Sequence, residues 1–510
     1  MTAVPPPIRQ VLTGWGRTAP SAADVVRAVD PGTVDRLLDP ARRDAAGRGI
    51  IARGMGRSYG DAAQNAGGIV VDATWLDGVI QADLDTGLVT VGAGTSLHSL
   101  MEEFVPLGWF VPVTPGTRLV TVGGAIAADV HGKNHHRDGS FCSHVARMRL
   151  VTPTGVVEVS PELDPDLFWA TAGGMGLTGV VTEATLRMIP VETSYILVDT
   201  ERAHDLEDAM DRMLTGDDGY HYSVAWIDCQ STGSRLGRSV LTRGDHARMD
   251  DLPARLRSRP DRARAFSPRT LANVPLTPPG GLLNPATVGA FNELWYRKAP
   301  RHQVGKPQHM AAFFHPLDGV GAWNRLYGPR GFLQYQFVVG DEHGDAVRRV
   351  IERLTRDRLA SFLAVLKRFG PGDPGPLSFP APGWTLALDL PVGNPALPAL
   401  LDDLDAEVLG AGGHLYLAKD SRLAPETFRT MYPRVDDFLA VRARVDPEGV
   451  LRSDLGRRLG LCADTAPPPS PPRTRARTRR KPAPPPTAPT RPAAASDGGR
   501  TTEHEEHTAR

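Results

Sequence analysis

Cysteine is scarce: Cys142, Cys229 and Cys462 are all that 510 residues contain, far apart and with no C-x-x-C pair. That excludes a cysteine-rich zinc or dithiol motif and gives no sign of a disulfide framework. Net charge is absent too. Lys+Arg and Asp+Glu both number 58, so no global field argues for a nucleic-acid partner, and none is expected. The opening MTAVPPPIRQVLTGWGRTAP lacks an apolar h-region, which argues against a Sec-type signal. No run of about 18 apolar residues occurs, so no membrane-spanning helix is expected. A cytoplasmic protein, or one peripheral at the plasma membrane, fits these absences, with the periplasmic side left open. No internal repeat is evident.

Hydrophobic residues at 41% and charged residues at 23% are ordinary for a globular protein. The first 190 residues alternate short β-rich runs with glycine turns, among them RGIIARG, GGIVVDAT, GLVTVGAG and GVVTEATLRMIP. A helix is expected over Ser96–Val105, with a polar residue at its cap. This is an α+β pattern without the regular strand–helix rhythm of a doubly wound sheet. A second β-containing region begins near Tyr195 and runs to about Gly413. There GFLQYQFVV and GWTLALDLPV read as strands and DAVRRVIERL as a helix. Residues 245–285 are rich in Arg and Pro with little periodicity, which suggests a functional or disordered loop. From 465 to 510 Pro, Ala, Thr and Arg dominate, and a disordered tail is expected. Its basic patch Arg473–Lys481 is a candidate contact for anionic lipid or nucleic acid, the alternative being a solvated tail without a partner.

Three glycine-rich segments lie in the first 190 residues: Ala52–Gly68, Pro115–Gly132 and Thr171–Pro190. The first has G-x-G-x-x-x-G spacing, one residue off the dinucleotide fingerprint, and no long helix follows it. Each alone is compatible with a plain turn. Together they suggest a large cofactor wrapped in backbone, because glycine lets N–H groups approach phosphate closely. The stretch GGAIAADVHGKNHH adds Asp129, His131, His135 and His136. Metal ligation would need His131 and His135 on one helical face, and Gly132 and Asn134 oppose a helix there. No metal site is expected, and His135 and His136 are read as solvent-facing loop residues.

The segments RGMGRSYGD and PGTRLVTVGGAIAADVHGKNHH resemble the vanillyl-alcohol oxidase/p-cresol methylhydroxylase superfamily of FAD proteins. LFWATAGGMGLTG, ELWYRK, YGPRGFLQYQF, LSFPAPGWT, YLAKDSR and MYPRVDDF narrow the resemblance to its decaprenylphosphoryl-ribose oxidases. The match runs over roughly residues 10–462 and leaves out the tail. It implies a two-domain FAD-binding fold: an FAD-binding domain over 8–194 and 414–462, and a substrate domain on an antiparallel sheet over 195–413.

The resemblance further implies non-covalent FAD, with His131 beside the flavin ring. Expected cofactor contacts are Arg53, Gly54, Met55, Gly56, Arg57, Ser58, Tyr59, Gly60 and Asp61 of the first motif. Gly116, Thr117, Thr121, Val122, Gly123, Gly124, Ala128, Asp129, Val130 and His131 follow from the second, and Val181 and Tyr416 complete the set. The implied reaction oxidises the ribose 2′-hydroxyl of a decaprenyl-phosphate sugar to a 2′-keto product. An NADH-dependent reductase partner then completes epimerisation to the arabinose donor for cell-wall arabinan. Lys419 is expected near the reacting hydroxyl, with Lys133, Lys367 and Tyr59 around the sugar phosphate. Gln334, Gln336, Trp226, Tyr296, Phe369 and Thr385 are expected to line the pocket. The family commonly carries Asn where this chain has Thr385 and Cys where it has Ala387, which alters pocket shape and removes a thiol. Segment 245–285 is a candidate lid for a lipid tail, its arginines near anionic headgroups. The rival readings are an alditol or aldonolactone oxidase and a non-catalytic flavin-binding scaffold.

Overall fold

The computed structural model describes residues 4–39, 47–359 and 361–462. The tail from 465, with its basic patch at 473–481, lies outside the described residues. Glycine turns between short β-branched runs produce two small sheets in the N-terminal part. Ile8–Leu12, Ser21–Arg27, Ile69–Asp72 and Ile50–Arg53 lie side by side in that order, the last three parallel. Val79–Asp83, Leu88–Gly92, Val180–Arg187, Val145–Thr152 and Gly155–Val159 form a five-stranded antiparallel sheet. The helix expected at 96–105 spans Leu97–Phe104, with Ser96 accepting the Ser99 amide at 3.0 Å as its cap. Leu97, Leu100, Met101 and Phe104 fall at helical spacing and are all buried, so one stripe anchors it.

An eight-stranded sheet follows. Its order is His302–His309, Tyr195–Ala203, Ser239–His246, Tyr222–Ile227, Ala364–Phe369, Gly383–Pro391, Phe332–Val339 and His414–Leu415. Helices Leu206–Gly216, Gly344–Arg356 and Leu397–Gly410 pack on it, the middle one through Val347, Val350, Ile351 and Leu354. Side chains alternate along a strand, so register fixes what the other face carries. Gln336 lies opposite Ala387, Ala387 opposite Val365, and Val365 opposite Trp226. One step along, Gln334 pairs with Asp389, and one step back Thr385 pairs with Lys367. A polar face is thereby turned toward the N-terminal loops. After His414–Leu415 the chain returns to the first sheet, where Leu451 bridges Ile50.

Segment 245–285 is more ordered than its composition suggests. The strand runs to His246, then come the short helices Ala254–Arg257 and Pro260–Arg264. Leu252 and Ala263 pack with Ala247 against Tyr195 and Leu197, and Ser194 donates through its amide and hydroxyl to Ala263 O (2.8 and 3.0 Å). Helices of four or five residues are too short to leave a periodic signature in sequence. Among the described residues no helix is long and apolar enough to cross a membrane.

Candidate functional site

Three loops, 53–61, 116–131 and 416–420, meet in front of the polar sheet face. The first, 53–61, leaves strand Ile50–Arg53. Arg57 Nε donates to Leu119 O (3.1 Å), and Tyr59 N donates to Ala418 O (2.9 Å), so this loop is tied to both of the others. A Cβ at Gly60 would stand 2.0 Å from Asp420 O, a contact only glycine allows. Arg458 fastens the junction by donating to both Asp61 oxygens (2.7 and 3.0 Å) and to Asp420 (2.8 Å). Among the described residues the amides of Met55, Gly56, Arg57 and Ser58 meet no protein acceptor, and Gly56 has φ +65°. Successive free N–H groups in such a turn form a nest for anionic oxygen.

The second loop opens with Gly116 and Thr117, whose amides are also unbonded. Thr121 then caps helix Val122–Ala127, its Oγ1 accepting from Gly124 N (3.1 Å). Ala128 O accepts from the Tyr416 hydroxyl (2.7 Å). Asp129 turns the chain at φ +37°, with its carboxyl accepting from Cys142 N (2.9 Å). Burial, then the neighbouring Asp373 carboxyl, pushes Asp129 well above the usual carboxylate range. Val130 and Ala128 are buried beside it.

That turn delivers His131 to the sheet face. Gln336 Nε2 lies 2.9 Å from His131 Nε2 and donates to Thr385 Oγ1 (3.2 Å). An amide NH2 can only donate, so Nε2 of the ring accepts and the ring proton sits on Nδ1, which has no protein partner. Burial, then the neighbouring Lys367, His135 and Lys419 side chains, hold this imidazole well below its usual pKa. It is a neutral ring, flanked by Phe369 and Tyr416 at centroid distances of 4.9 and 5.0 Å.

Lys367 and Lys419 lie close to it, and Lys133 lies near Lys367. Lys133 donates to Phe313 O and lies 4.3 Å from that ring's centroid. Lys367 donates to Gly132 O at 3.4 Å. Lys419 Nζ stands 4.0 Å over the Tyr59 ring. Each is partly exposed, and no carboxylate forms an ion pair with any of them among the described residues. Burial pulls Lys133 to about 7 and Lys367 to about 7, the latter also through the Lys419 and Lys133 charges. Lys419 is pulled to about 8 by burial, with Asp389 holding it up.

Asp389 and Tyr327 have no counterpart in the expectations from sequence. Asp389 is 0% exposed and accepts from Gln334 Nε2 (2.5 Å) and the Tyr327 hydroxyl (3.1 Å). Burial raises its carboxyl to about 7 against the pull of Gln334, Lys419 and Tyr327. Burial pushes the neighbouring Tyr59 phenol well above its ordinary value. Tyr327 stacks on Phe332 (4.0 Å), and Phe332 meets Tyr59 edge-on (5.3 Å).

The side chains of several expected residues are engaged within the protein itself. The Arg53 guanidinium donates to Ala63 O and Thr13 O, Asp61 is held by Arg458, and Thr117 Oγ1 donates to Asp318 (2.7 Å). Val122 and Val181 are buried in the main core. Trp226 lies on the site face, two strands beyond Ala387. Tyr296 does not join the site. Its hydroxyl donates to Ala203 O (3.2 Å), and its ring faces the Arg202 and Arg238 guanidiniums. Arg202 is five strands from Gln336, roughly 24 Å at the usual interstrand spacing. The solvent-facing reading of His135 and His136 is also corrected. His135 is 2% exposed and packs on Phe369 (4.4 Å), and His136 lies 3.0 Å from Tyr220 O through Nε2. A single helical turn, His135–Asp138, forms despite Gly132 and Asn134 because both precede it, with Asn134 donating to Pro112 O (2.8 Å).

Residues 22–160 match the family model of an FAD binding domain, and residues 401–459 that of D-arabinono-1,4-lactone oxidase. The chain is similar to decaprenylphosphoryl-β-D-ribose oxidase of Mycolicibacterium smegmatis, at 47% identity over 88% of this chain and 97% of that protein. An uncharacterized protein of Streptomyces coelicolor is 46% identical over 72% of this chain and all of that one. L-gulono-1,4-lactone dehydrogenase of Mycobacterium tuberculosis is 25% identical over 86% and 96% of the two chains. The residues present fit FAD: unbonded amides at 55–58 and 116–117 suit its pyrophosphate, and an unpartnered, buried His131 Nδ1 needs an acceptor.

Proposed function

We propose, for a chain that belongs to the decaprenylphosphoryl-β-D-ribose oxidase family, FAD-dependent oxidation of the ribose 2′-hydroxyl of a polyprenylphosphoryl ribose to the 2′-keto product. The chain is an FAD-dependent oxidoreductase. One observation carries the choice of substrate: three lysines with no carboxylate in ion-pair contact among the described residues lie around a face that also presents Gln334 and Gln336. A lipid-linked sugar phosphate answers both features, the anion for the lysines and the hydroxyls for the amides. A neutral alditol or lactone leaves the lysines with nothing to bind, which disfavours that rival. A flavin scaffold without catalysis has no use for either.

Bound FAD supplies the hydride acceptor. The protein's share is to place the sugar and to manage its proton. Gln334 spends its amide nitrogen on Asp389 and Gln336 spends its own on His131 and Thr385, so both carbonyl oxygens are left to accept from sugar hydroxyls. Lys133 and Lys367 sit near neutrality when the site holds no anion, and an arriving phosphate favours their charged forms. Lys419 as free amine takes the proton of the reacting hydroxyl, and the Tyr59 ring then faces the resulting ammonium. Thr385 supports Gln336, and Phe369 and Tyr416 close the sides of His131 against water. FAD is held without a covalent bond, His131 acting as a neutral hydrogen-bonding neighbour. The keto sugar then requires an NADH-dependent reductase if the 2′-centre is to be inverted.

Anaerobic mixing with a polyprenylphosphoryl ribose should bleach the flavin band at about 450 nm, where oxidised flavins absorb. Lys419→Ala should keep FAD yet fail to bleach, and normal bleaching would remove Lys419 from the reaction. Acid precipitation should leave the yellow colour in the supernatant. Colour in the pellet would overturn non-covalent binding.

A further inference from the structure

Large apolar side chains stand unusually far out of the surface between residues 271 and 304. Leu271 is 83% exposed, Leu276 79% and Leu294 67%, with Leu282 and Trp295 also exposed. They are not on a loose loop. Leu271 N donates to Gly319 O (2.7 Å), Ala272–Asn273 pairs with Val320–Gly321, and Arg325 Nη1 donates to Val274 O and Pro275 O (3.0 and 2.7 Å). The backbone is fastened on its inner side while the leucines point away from it, although burial of such side chains is favourable. Between residues 252 and 301 there are nine lysines and arginines against two acids, Asp261 and Glu293, in a chain whose charges balance overall. Glu293 is engaged by Arg238 and Arg297. Arg255, Arg259, Arg262 and Lys306 line one cavity of about 790 Å3, and no carboxylate pairs with them among the described residues. Exposed leucines and a tryptophan within a segment rich in uncompensated cations are the features of a surface that lies in a lipid interface.

The patch is also continuous with the site. Leu283, one residue from Leu282, packs against the cluster of Tyr59, Trp323, Tyr327 and Phe332. Tyr59 is the ring on which Lys419 stands. A single layer of aromatic side chains therefore separates Leu283, at the inner edge of this segment, from the proposed sugar site.

We infer that residues 271–295 are the face by which this protein docks on an anionic lipid bilayer, the leucines entering the acyl boundary and the flanking arginines meeting lipid phosphates. The inference rests on the reading that the substrate is lipid-linked, since it explains why a site would open at a bilayer. It makes the membrane the place where the polyprenyl tail stays while the ribose is drawn past Leu283 to Lys419.

The test is flotation of the full-length holoprotein with vesicles of phosphatidylcholine alone or with added phosphatidylglycerol. Binding should need the anionic lipid and should fall about tenfold or more in the triple variant Leu271→Ser/Leu276→Ser/Leu294→Ser, given how steeply partition follows buried apolar area. The flavin spectrum of the variant checks its fold. Turnover of vesicle-borne full-length substrate should fall with binding, whereas a water-soluble short-chain analogue should be oxidised as before. A second variant replaces Arg473, Arg475, Arg477, Arg479 and Arg480 by Gln and should still float. The proposal is overturned if wild-type protein does not float, if the leucine variant floats equally, or if binding follows the tail arginines. It is overturned equally if the leucine substitutions only dissociate a self-assembled form. Should flotation fail while the short-chain analogue still bleaches the flavin, docking is wrong and the oxidase reading stands.

Discussion

The surroundings of Lys419 set the pH dependence of substrate oxidation. Burial pulls its ammonium to about 8, and Asp389 is the charge that keeps it from falling further. At pH 7 a base of this pKa is roughly 10% free amine, against about 0.03% for an ordinary lysine at 10.5, so the pocket provides about 300-fold more base. The single-turnover rate of flavin reduction at saturating substrate should therefore rise about tenfold between pH 7 and pH 9 and then level. Saturation matters because Lys133 and Lys367 also titrate near neutrality when the site holds no phosphate, and would add their own limb to kcat/KM. Asp389→Asn removes the anion that raises Lys419. The limb should move to lower pH, leaving the variant flatter between pH 7 and 9, while its plateau falls because Gln334 loses the acceptor that orients it. Stopped-flow reduction under anaerobic conditions reads both effects. A limb that stays at the wild-type position in Asp389→Asn, or moves alkaline, refutes the assignment of Lys419 as the base and Asp389 as its electrostatic partner.

Thiol chemistry and loop packing provide two further checks. Cys142, Cys229 and Cys462 are all buried, and burial raises each thiol, so a disulfide reagent should titrate none in the native protein and three after unfolding. Ala387→Cys places a thiol on the site face at a partly exposed position, and native labelling should rise to one group that bound substrate protects. Rapid native labelling of the parent chain would contradict the burial of its cysteines. Gly60→Ala forces a methyl against Asp420 O, which lies 2.0 Å from the ideal Cβ, so the two loops must part. A loss on the order of 1–3 kcal/mol and weaker FAD retention are expected, read by thermal unfolding with and without added FAD. An unchanged Tm would mean that these loops do not press together as described.

What could be read ahead of the structure was local, and what could not was a matter of partners. GFLQYQFVV carries its period in the letters, so a strand with Gln334 and Gln336 on one face was legible. Asp389 was not, because one acid in GWTLALDLP breaks no pattern, and the glutamine that orients it is 55 residues away. His135 read as solvent-facing from its polar neighbours, but the ring that covers it belongs to Phe369 in another strand. Tyr296 sat inside a family-like motif, yet helix Pro285–Lys298 carries it to the Arg202 and Arg238 guanidiniums at the far side of the sheet. The lysines make the same point most strongly. In the sequence Lys133, Lys367 and Lys419 are isolated cations, and an isolated lysine is ordinarily a solvated surface charge. Their significance lies in the lack of any carboxylate in ion-pair contact with them among the described residues, which only the tertiary fold reveals. A chain with 58 acids has every means to pair three lysines, as it pairs Arg458 twice over with Asp61 and Asp420. Asp389, whose charge does reach Lys419, has itself been raised to about 7. Positive charge left uncompensated in a partly closed site costs stability, and it is regained when an anion binds. The phosphate of a lipid-linked sugar is that anion.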